Sequence, residues 1–388
     1  MERFDVAIVG AGPAGSSTAG FLARRGYSVA LIDKRLFPSE KLCGDFLNPA
    51  NWPLFERLGI TQELFSLEHE RVEAFRISSF TGEEAVVPFP SHPGNFFFGL
   101  GLRRFYLDDL LVRRAEKEGA IVRQGYRVKD LKREGNGWSI TLANHSTEER
   151  FGSAFLIGAD GRNSWVAQRL DLARPGDNHG EFVAFQLHLK GAKGIAGEVQ
   201  IHLFPGGYAG LVGLGGGTAN LCVSIKKQHV KNRSSFRSLL ERHLYKNPHL
   251  RDLLEKAELA DNSRSAYPVY FSPRSSCGEG FLLVGDAARV TEPVTGEGVY
   301  FALKSGELAA KAIDLAFIKG DFSAQRLSHY KLACQQAFSF RRGVNGLARA
   351  LIHRPSLVRP LIRLAAKTSF PIGPLVYFVC QTRTFEQP

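Results

Sequence analysis

FDVAIVGAGPAG, residues 4–15, runs from an apolar strand directly into a glycine turn. Val6, Ile8 and Val9 supply the strand, and Gly10, Gly12 and Gly15 complete a G-x-G-x-x-G spacing. The three glycines serve different ends. Gly10 permits the tight turn, Gly12 lets backbone approach a pyrophosphate, and Gly15 allows a helix to pack close. The pattern predicts a helix from about Pro13 to Arg25; Pro13 opens it, and its first N–H groups, from Ala14 onward, face the phosphates. Gly26 is placed to end that helix. A second strand follows at Val29–Ile32, and Asp33 at its end is placed to accept from a ribose hydroxyl, with Lys34 beside it. A lone glycine-rich turn is weak evidence, but here strand, turn, helix, strand and acid occur in order. The unit predicts a bound dinucleotide and leaves open whether it is NAD or FAD.

Two later segments narrow the choice. In LIGADGRNS, residues 156–164, an apolar strand ends at Asp160-Gly161. In FLLVGDAARVTEPVTGEGVYFAL, residues 281–303, another ends at Gly285-Asp286 and is followed by Pro293-Val-Thr-Gly296-Glu297-Gly298. Together they resemble the DG and GD motifs of the p-hydroxybenzoate-hydroxylase-type FAD-dependent oxidoreductases. The third segment is most similar to the geranylgeranyl-reductase-like branch, with Arg289 standing where that branch has glycine. Lys41-Leu-Cys43-Gly44 resembles the same branch's K-x-C-G loop, and Arg104, four residues before Asp108, matches its flavin-side arginine. The resemblance implies FAD as cofactor, with Asp160 and Gly161 near its phosphates and Asp286 at the ribityl side. It sets the loop 293–298 against the isoalloxazine ring and NAD(P)H as a transient reductant, since no second G-x-G-x-x-G is present.

The resemblance weakens over residues 204–213. True prenyl reductases carry a Y-x-W-x-F-P strand there, and this chain has Gly210 at the tryptophan. The W-x-W-x-I-P strand of flavin-dependent halogenases is missing as well. The implied substrate is a hydrophobic small molecule, and reduction of a carbon–carbon double bond is slightly favoured. Two alternatives stay open: an FAD-dependent monooxygenase acting on an aromatic or lipid-like secondary metabolite, and a membrane-associated flavin electron-transfer or binding protein.

Composition excludes other classes. No run of eighteen apolar residues predicts a membrane span, and the first strand begins too early for a signal peptide. Five cysteines with no C-x-x-C pair predict a reducing compartment and no metal site. Cytoplasmic location is the default. The net charge of +12 suggests nucleic acid, but its placement points elsewhere. From Phe322 to Phe385 there is no Asp or Glu, while Arg326, Lys331, Arg341, Arg342, Arg349, Arg354, Arg359, Arg363, Lys367 and Arg383 are all basic. Leucines and phenylalanines alternate with these cations, and Pro355, Pro360, Pro371 and Pro374 are expected to break the tail into short helices. Such a segment suits either a cap over the substrate cavity or contact with an anionic membrane, and carries no nucleic-acid signature. Oligomeric state is not legible.

The expected fold is α/β: a Rossmann-like FAD-binding domain, an antiparallel β-sheet substrate domain and a C-terminal helical segment. The FAD domain is expected to be discontinuous, at 1–70, 97–176 and 262–335. Alternating stretches at 71–96 and 177–261 build the substrate sheet, and 336–388 form the basic helical tail. Residues 233–258 read as helical. Among chemistry-bearing residues, Cys43, Tyr208 and Glu297 are the catalytic candidates. Tyr208, Gly210, His202 and His188 are expected on the pocket sheet as substrate-pocket residues.

Overall fold

The structure is a computed structural model describing residues 2–90, 98–144, 146–173, 181–230, 236–255, 257–261, 263–267, 269, 273–289, 293–352 and 354–381. Arg383 therefore lies outside the described residues, and of Pro293 only the backbone is described.

The first strand, Arg3–Val9, lies at the centre of a sheet whose five principal strands run parallel. Val29–Asp33 and then Ile121–Gln124 extend it on one side, Glu148–Gly158 and then Phe281–Leu283 on the other. Helices cover one face and a hairpin covers the other, so the central strand is apolar throughout. Val6 and Ile8 enter the cluster under the helices Pro13–Ala23, Arg104–Lys117 and Gly298–Lys319. Ala7 and Val9 turn to the opposite cluster, with Trp138, Ile140 and Val166. The register pairs Val9 with both Ile32 and Gly158. The turn at Gly10, the acid at Asp33 and the bend at Asp160 therefore emerge together at the carboxyl edge, where such sheets bind ligands.

A second sheet takes its long strands from Phe182–Lys190, Glu198–Phe204, Gly207–Gly215 and Thr218–Lys226, which pair antiparallel. Ala74–Ser78 then joins Glu198–Phe204 in parallel, with Val199 opposite Phe75, and Glu84–Pro88 closes that edge. Among the described residues, one parallel pairing thus stands within an otherwise antiparallel sheet. Helices Phe236–Arg242 and Pro248–Leu254 bury Leu239, Leu250 and Leu254 on one face, among Leu211, Leu221 and Val223.

The tail departs from expectation. A single helix, Ala324–Ile352, runs unbroken through residue 335, so the basic segment begins inside it. Pro355 starts the helix Pro355–Thr368 and Pro371 precedes Ile372–Cys380, but Pro360 and Pro374 break nothing. Pro374 lies in a first turn, where an N–H has no helical partner. Pro360 removes one interior hydrogen bond, and its helix continues because packing holds it. Val358, Ile362 and Ala365 are buried with Ile77, Ala85, Ile201 and Leu203 of the sheet. Arg359 and Arg363 reach Glu83 at 3.0 and 2.7 Å. No helix among the described residues is long and apolar enough to cross a membrane.

Candidate functional site

A cavity of about 640 Å³ runs from the carboxyl edge of the parallel sheet, under the second sheet, to the C-terminal helices. Its floor is the first turn. Gly10 has φ +106°, and a Cβ there would lie 2.4 Å from the Ala159 carbonyl oxygen. A Cβ on Gly15 would lie 1.8 Å from the Gly10 oxygen. Gly12 is different: its backbone is extended and a Cβ would meet nothing nearer than Lys41 Nζ at 4.0 Å. Gly10 and Gly15 are therefore needed by the turn itself, whereas Gly12 keeps space open in front of the helix Pro13–Ala23.

Asp33 holds this turn from behind. Its Oδ2 accepts the Ala11 N–H at 2.8 Å, and Arg35 clamps the carboxylate with two side-chain bonds of 3.1 Å. Burial would raise its pKa, but the Arg35 guanidinium and hydrogen bonds outweigh it and hold Asp33 below the ordinary carboxylate value. Neither Asp33 nor the exposed Lys34 lines the cavity. Lys41 does, as does Arg162. Burial pulls the Lys41 ammonium below its ordinary value, with the Arg104 charge adding to that and Asp286 and Asp108 opposing it. Lys41 was visible as the first residue of the Lys41–Gly44 loop, and Arg162 as the residue after Asp160-Gly161.

The other two motifs divide in the same way. Gly161 and Asp286 line the cavity. Asp160 turns back, accepting the Ser164 hydroxyl at 2.5 Å and the Val166 N–H at 3.1 Å, and so stabilises the start of the helix Trp165–Arg169. Gly285 donates its N–H to Ser305 Oγ at 3.0 Å and sits behind the wall. Gly296 and Gly298 face the cavity, but Glu297 between them is fully buried away from it. Glu297 pairs with Arg341 and accepts from Asn345 Nδ2 at 2.7 Å and Thr295 Oγ1 at 2.9 Å. As a cavity-side acid it is therefore corrected to a buried partner of Arg341.

Arg104 and Cys43 meet at the side of the cavity. Arg104 is buried, grips Asp108 at 2.6 and 2.8 Å, and donates its backbone N–H to Asp45 Oδ1 at 3.1 Å. Burial opposes its charge, but the Asp108 carboxylate outweighs this and holds it well above the ordinary arginine range. The Cys43 N–H donates to Gln186 Oε1, and its carbonyl accepts from Asn220 Nδ2, both at 3.1 Å. Burial pushes its thiol up, away from the thiolate.

Tyr208 and Gly210 line the cavity as expected, and the two histidines do not. His202 points out of the opposite face, between Ser78 Oγ at 2.7 Å and Gln200 Oε1 at 2.9 Å. Burial drives its pKa down to about 3, so the ring is neutral. His188 lies on the cavity face but under the Lys41–Asp45 loop. Its Nε2 is 2.9 Å from Asp45 Oδ2 and its Nδ1 is 2.8 Å from Asp261 Oδ2. Burial disfavours the imidazolium, yet the two carboxylates outweigh it and raise the pKa. A group raised in the folded state stabilises fully below its unfolded value, about 6.5, and loses this as pH climbs through the folded value. His188→Gln should therefore lower the thermal midpoint more at acidic pH than at alkaline pH. A deficit of the same size across that range would show that His188 carries no proton there.

The tail walls the far end of the cavity, one of the two placements its sequence suits, although no pattern there singles out individual lining residues. Val344, Leu347, Leu351, Leu361, Leu375 and Val379 line it, all from the last three helices, and every tail side chain in the wall is apolar.

Comparison with known proteins places these features. The family described as FAD binding domain matches residues 3–206. A menaquinone reductase of Mycobacterium tuberculosis is 31% identical over 329 residues, covering 81% of this chain and 77% of that protein. A geranylgeranyl bacteriochlorophyll reductase-like structure from Thermoplasma acidophilum superposes with a TM-score of 0.83 at 22% identity, covering 98% of this chain and 96% of that one. A flavin-dependent brominase superposes with a TM-score of 0.81 at 20% identity, covering 97% and 94%. The two structural likenesses speak for the fold.

Proposed function

This chain belongs to the FAD binding domain family and is an FAD-dependent oxidoreductase; from that premise we propose that it reduces a carbon–carbon double bond in a hydrophobic small molecule, with NAD(P)H as the source of electrons. The observation that carries the reading is the continuity of the cavity. Its charged side chains, Lys41, Arg104, Arg162 and Asp286, belong to the nucleotide motifs and their loops, and its other end is hydrocarbon apart from the Cys380 thiol.

The residues present fit FAD. A Cβ on Gly44 or Gly298 would meet nothing within 4 Å, and Gly12 is nearly as open, so backbone can approach a ligand at three points. The N-terminus of Pro13–Ala23 with Lys41 and Arg162 would hold the pyrophosphate. Asp286 and Arg104 would hold the ribityl and flavin side. Bound and reduced, the flavin supplies a hydride to one alkene carbon. The chain must then deliver a proton to the neighbouring carbon. Cys43, kept as a thiol by burial, and the Tyr208 phenol are two cavity-side groups able to do so. The apolar walls would exclude water from a hydrophobic ligand held there.

Enzyme reduced by NAD(P)H, mixed without oxygen with unsaturated isoprenoids, should reoxidise its flavin and yield a product heavier by two hydrogens. A likeness to a Pseudomonas fluorescens chlorinase, 26% identical over 84% of this chain and 79% of that protein, favours a second reading, oxygen-dependent hydroxylation or halogenation, in the same cavity. Turnover that strictly requires oxygen and gives an oxygenated or halogenated product would replace the first reading by the second.

Gly210 supplies a test of the pocket. A Cβ there would meet Ile201 Cδ1 at 3.5 Å, an ordinary contact, so a larger side chain is tolerated at its root and must project into the cavity. Gly210→Trp should lower kcat/KM by about tenfold or more with full flavin content. Loss of flavin to the same degree would place this strand in the cofactor site.

A further inference from the structure

The helices that close the cavity carry more apolar surface than the protein covers. On Pro355–Thr368, Val358, Ile362 and Ala365 are buried against the sheet, but Leu357 is 49% and Leu364 43% exposed. These two are seven residues apart and so share one side of the helix. Phe370 just beyond is 59% exposed, and on Ala324–Ile352 Phe340 is 54% and Leu347 50% exposed.

The charges that the C-terminal segment itself brings to this face have one sign. Arg354, Arg363 and Lys367 are exposed, and no acid occurs between Phe322 and Phe385. Arg363 touches Glu83 at 2.7 Å and still leaves 64% of its side chain in solvent. Large apolar side chains among cations match hydrocarbon lying beneath anionic headgroups. A second copy of the chain would set positive charge against positive charge.

We propose that this face of the C-terminal helices docks on an anionic lipid surface, with Leu357, Leu364 and Phe370 among the acyl chains and Arg354 and Lys367 at headgroup level. The cavity reaches the same helices. Leu347 both lines it and is half in solvent, and Leu361, which lies between Leu357 and Leu364 in the sequence, also lines it. The surface therefore offers a hydrophobic ligand a route inward that avoids water. The proposal goes beyond the reaction assigned above, because docking depends on this surface whatever is turned over.

Full-length, flavin-loaded protein should float with vesicles of phosphatidylcholine and phosphatidylglycerol at low salt, and much less with phosphatidylcholine alone. Raised salt should release part of it. Lys367→Ala should weaken partition roughly fivefold. The triple variant Leu357→Ser, Leu364→Ser, Phe370→Ser should weaken it about tenfold or more. None of these residues lines the cavity, so an unchanged flavin spectrum and melting midpoint show that each variant is folded. The proposal is overturned if wild-type protein stays unbound at low salt, or if the folded triple variant binds as well as wild type. It is also overturned by equal binding to neutral and anionic vesicles, and by a wild-type dimer that the triple substitution makes monomeric without any vesicle binding.

Discussion

Gly12→Val should give a folded protein that has lost its colour. The backbone at Gly12 is extended, a shape valine accepts, and a Cβ there would stand 4.0 Å from its nearest neighbour, Lys41 Nζ. Nothing in the protein itself resists the side chain. What it displaces is the ligand, because the space filled lies between the helix N-terminus and the lysine, where a pyrophosphate would sit. Affinity for FAD should fall by about a hundredfold or more, equivalent to at least ~2.7 kcal/mol, with the thermal midpoint of the flavin-free protein unchanged. Gly15→Val is the contrasting control. Its Cβ collides with the Gly10 oxygen at 1.8 Å, so it should damage the fold with or without cofactor. Flavin titrations that leave Gly12→Val equal to wild type would show that the pyrophosphate lies elsewhere.

Arg341→Met should destabilise the protein by about 3–5 kcal/mol, the usual cost of stranding one member of a buried ion pair. Glu297 is fully buried and Arg341 nearly so. Burial already raises the Glu297 pKa against the pull of Arg341. Without the guanidinium the carboxyl has Asn345 and Thr295 as partners but no countercharge, so it takes up a proton more readily. Burying its ionised form costs more as pH rises above the ordinary glutamate value of about 4.3. The deficit in denaturation midpoint should thus be larger at pH 8 than at about pH 5. Adding Glu297→Gln removes the stranded charge while keeping acceptors for Asn345 and Thr295, and should restore much of the loss. A double variant no better than Arg341→Met would mean that Arg341 acts through its bonds to the Val379 and Gln381 carbonyls instead.

Several of these features could be read from sequence, and the limits have physical causes. The turn at residues 10–15 was legible because few other arrangements of strand, glycine and helix satisfy the same backbone geometry. Its acid was harder. Asp33 is spaced to reach a ribose, but Arg35 two residues later claims the carboxylate, a local competition that spacing alone does not reveal. The histidines were misplaced for two different reasons. Pro205-Gly206 makes a tight connection that pairs Phe204 with Gly207, Leu203 with Tyr208 and Ile201 with Gly210. That register sends His202 to the opposite face from Tyr208, and the short loop was the signal that could have shown it. His188 is on the cavity face, opposite Asn220, but a loop from far earlier in the chain covers it, and no local pattern carries that. Pro360 shows a third limit. Its helical propensity is poor, and the burial of Val358, Ile362 and Ala365, which overrides it, is a property of the assembled sheet.

The two ends of the cavity are built from parts of the chain with unlike freedoms. The motifs at the charged end fix backbone angles and close approaches, so few replacements survive there. The apolar end comes from single side chains on the last three helices, each exchangeable for another of similar bulk. Mutational drift in residues 344–380 can therefore reshape what the enzyme accepts while the cofactor and its chemistry stay constant. Proteins with the same nucleotide cradle should diversify in their ligands fastest through their C-terminal helices.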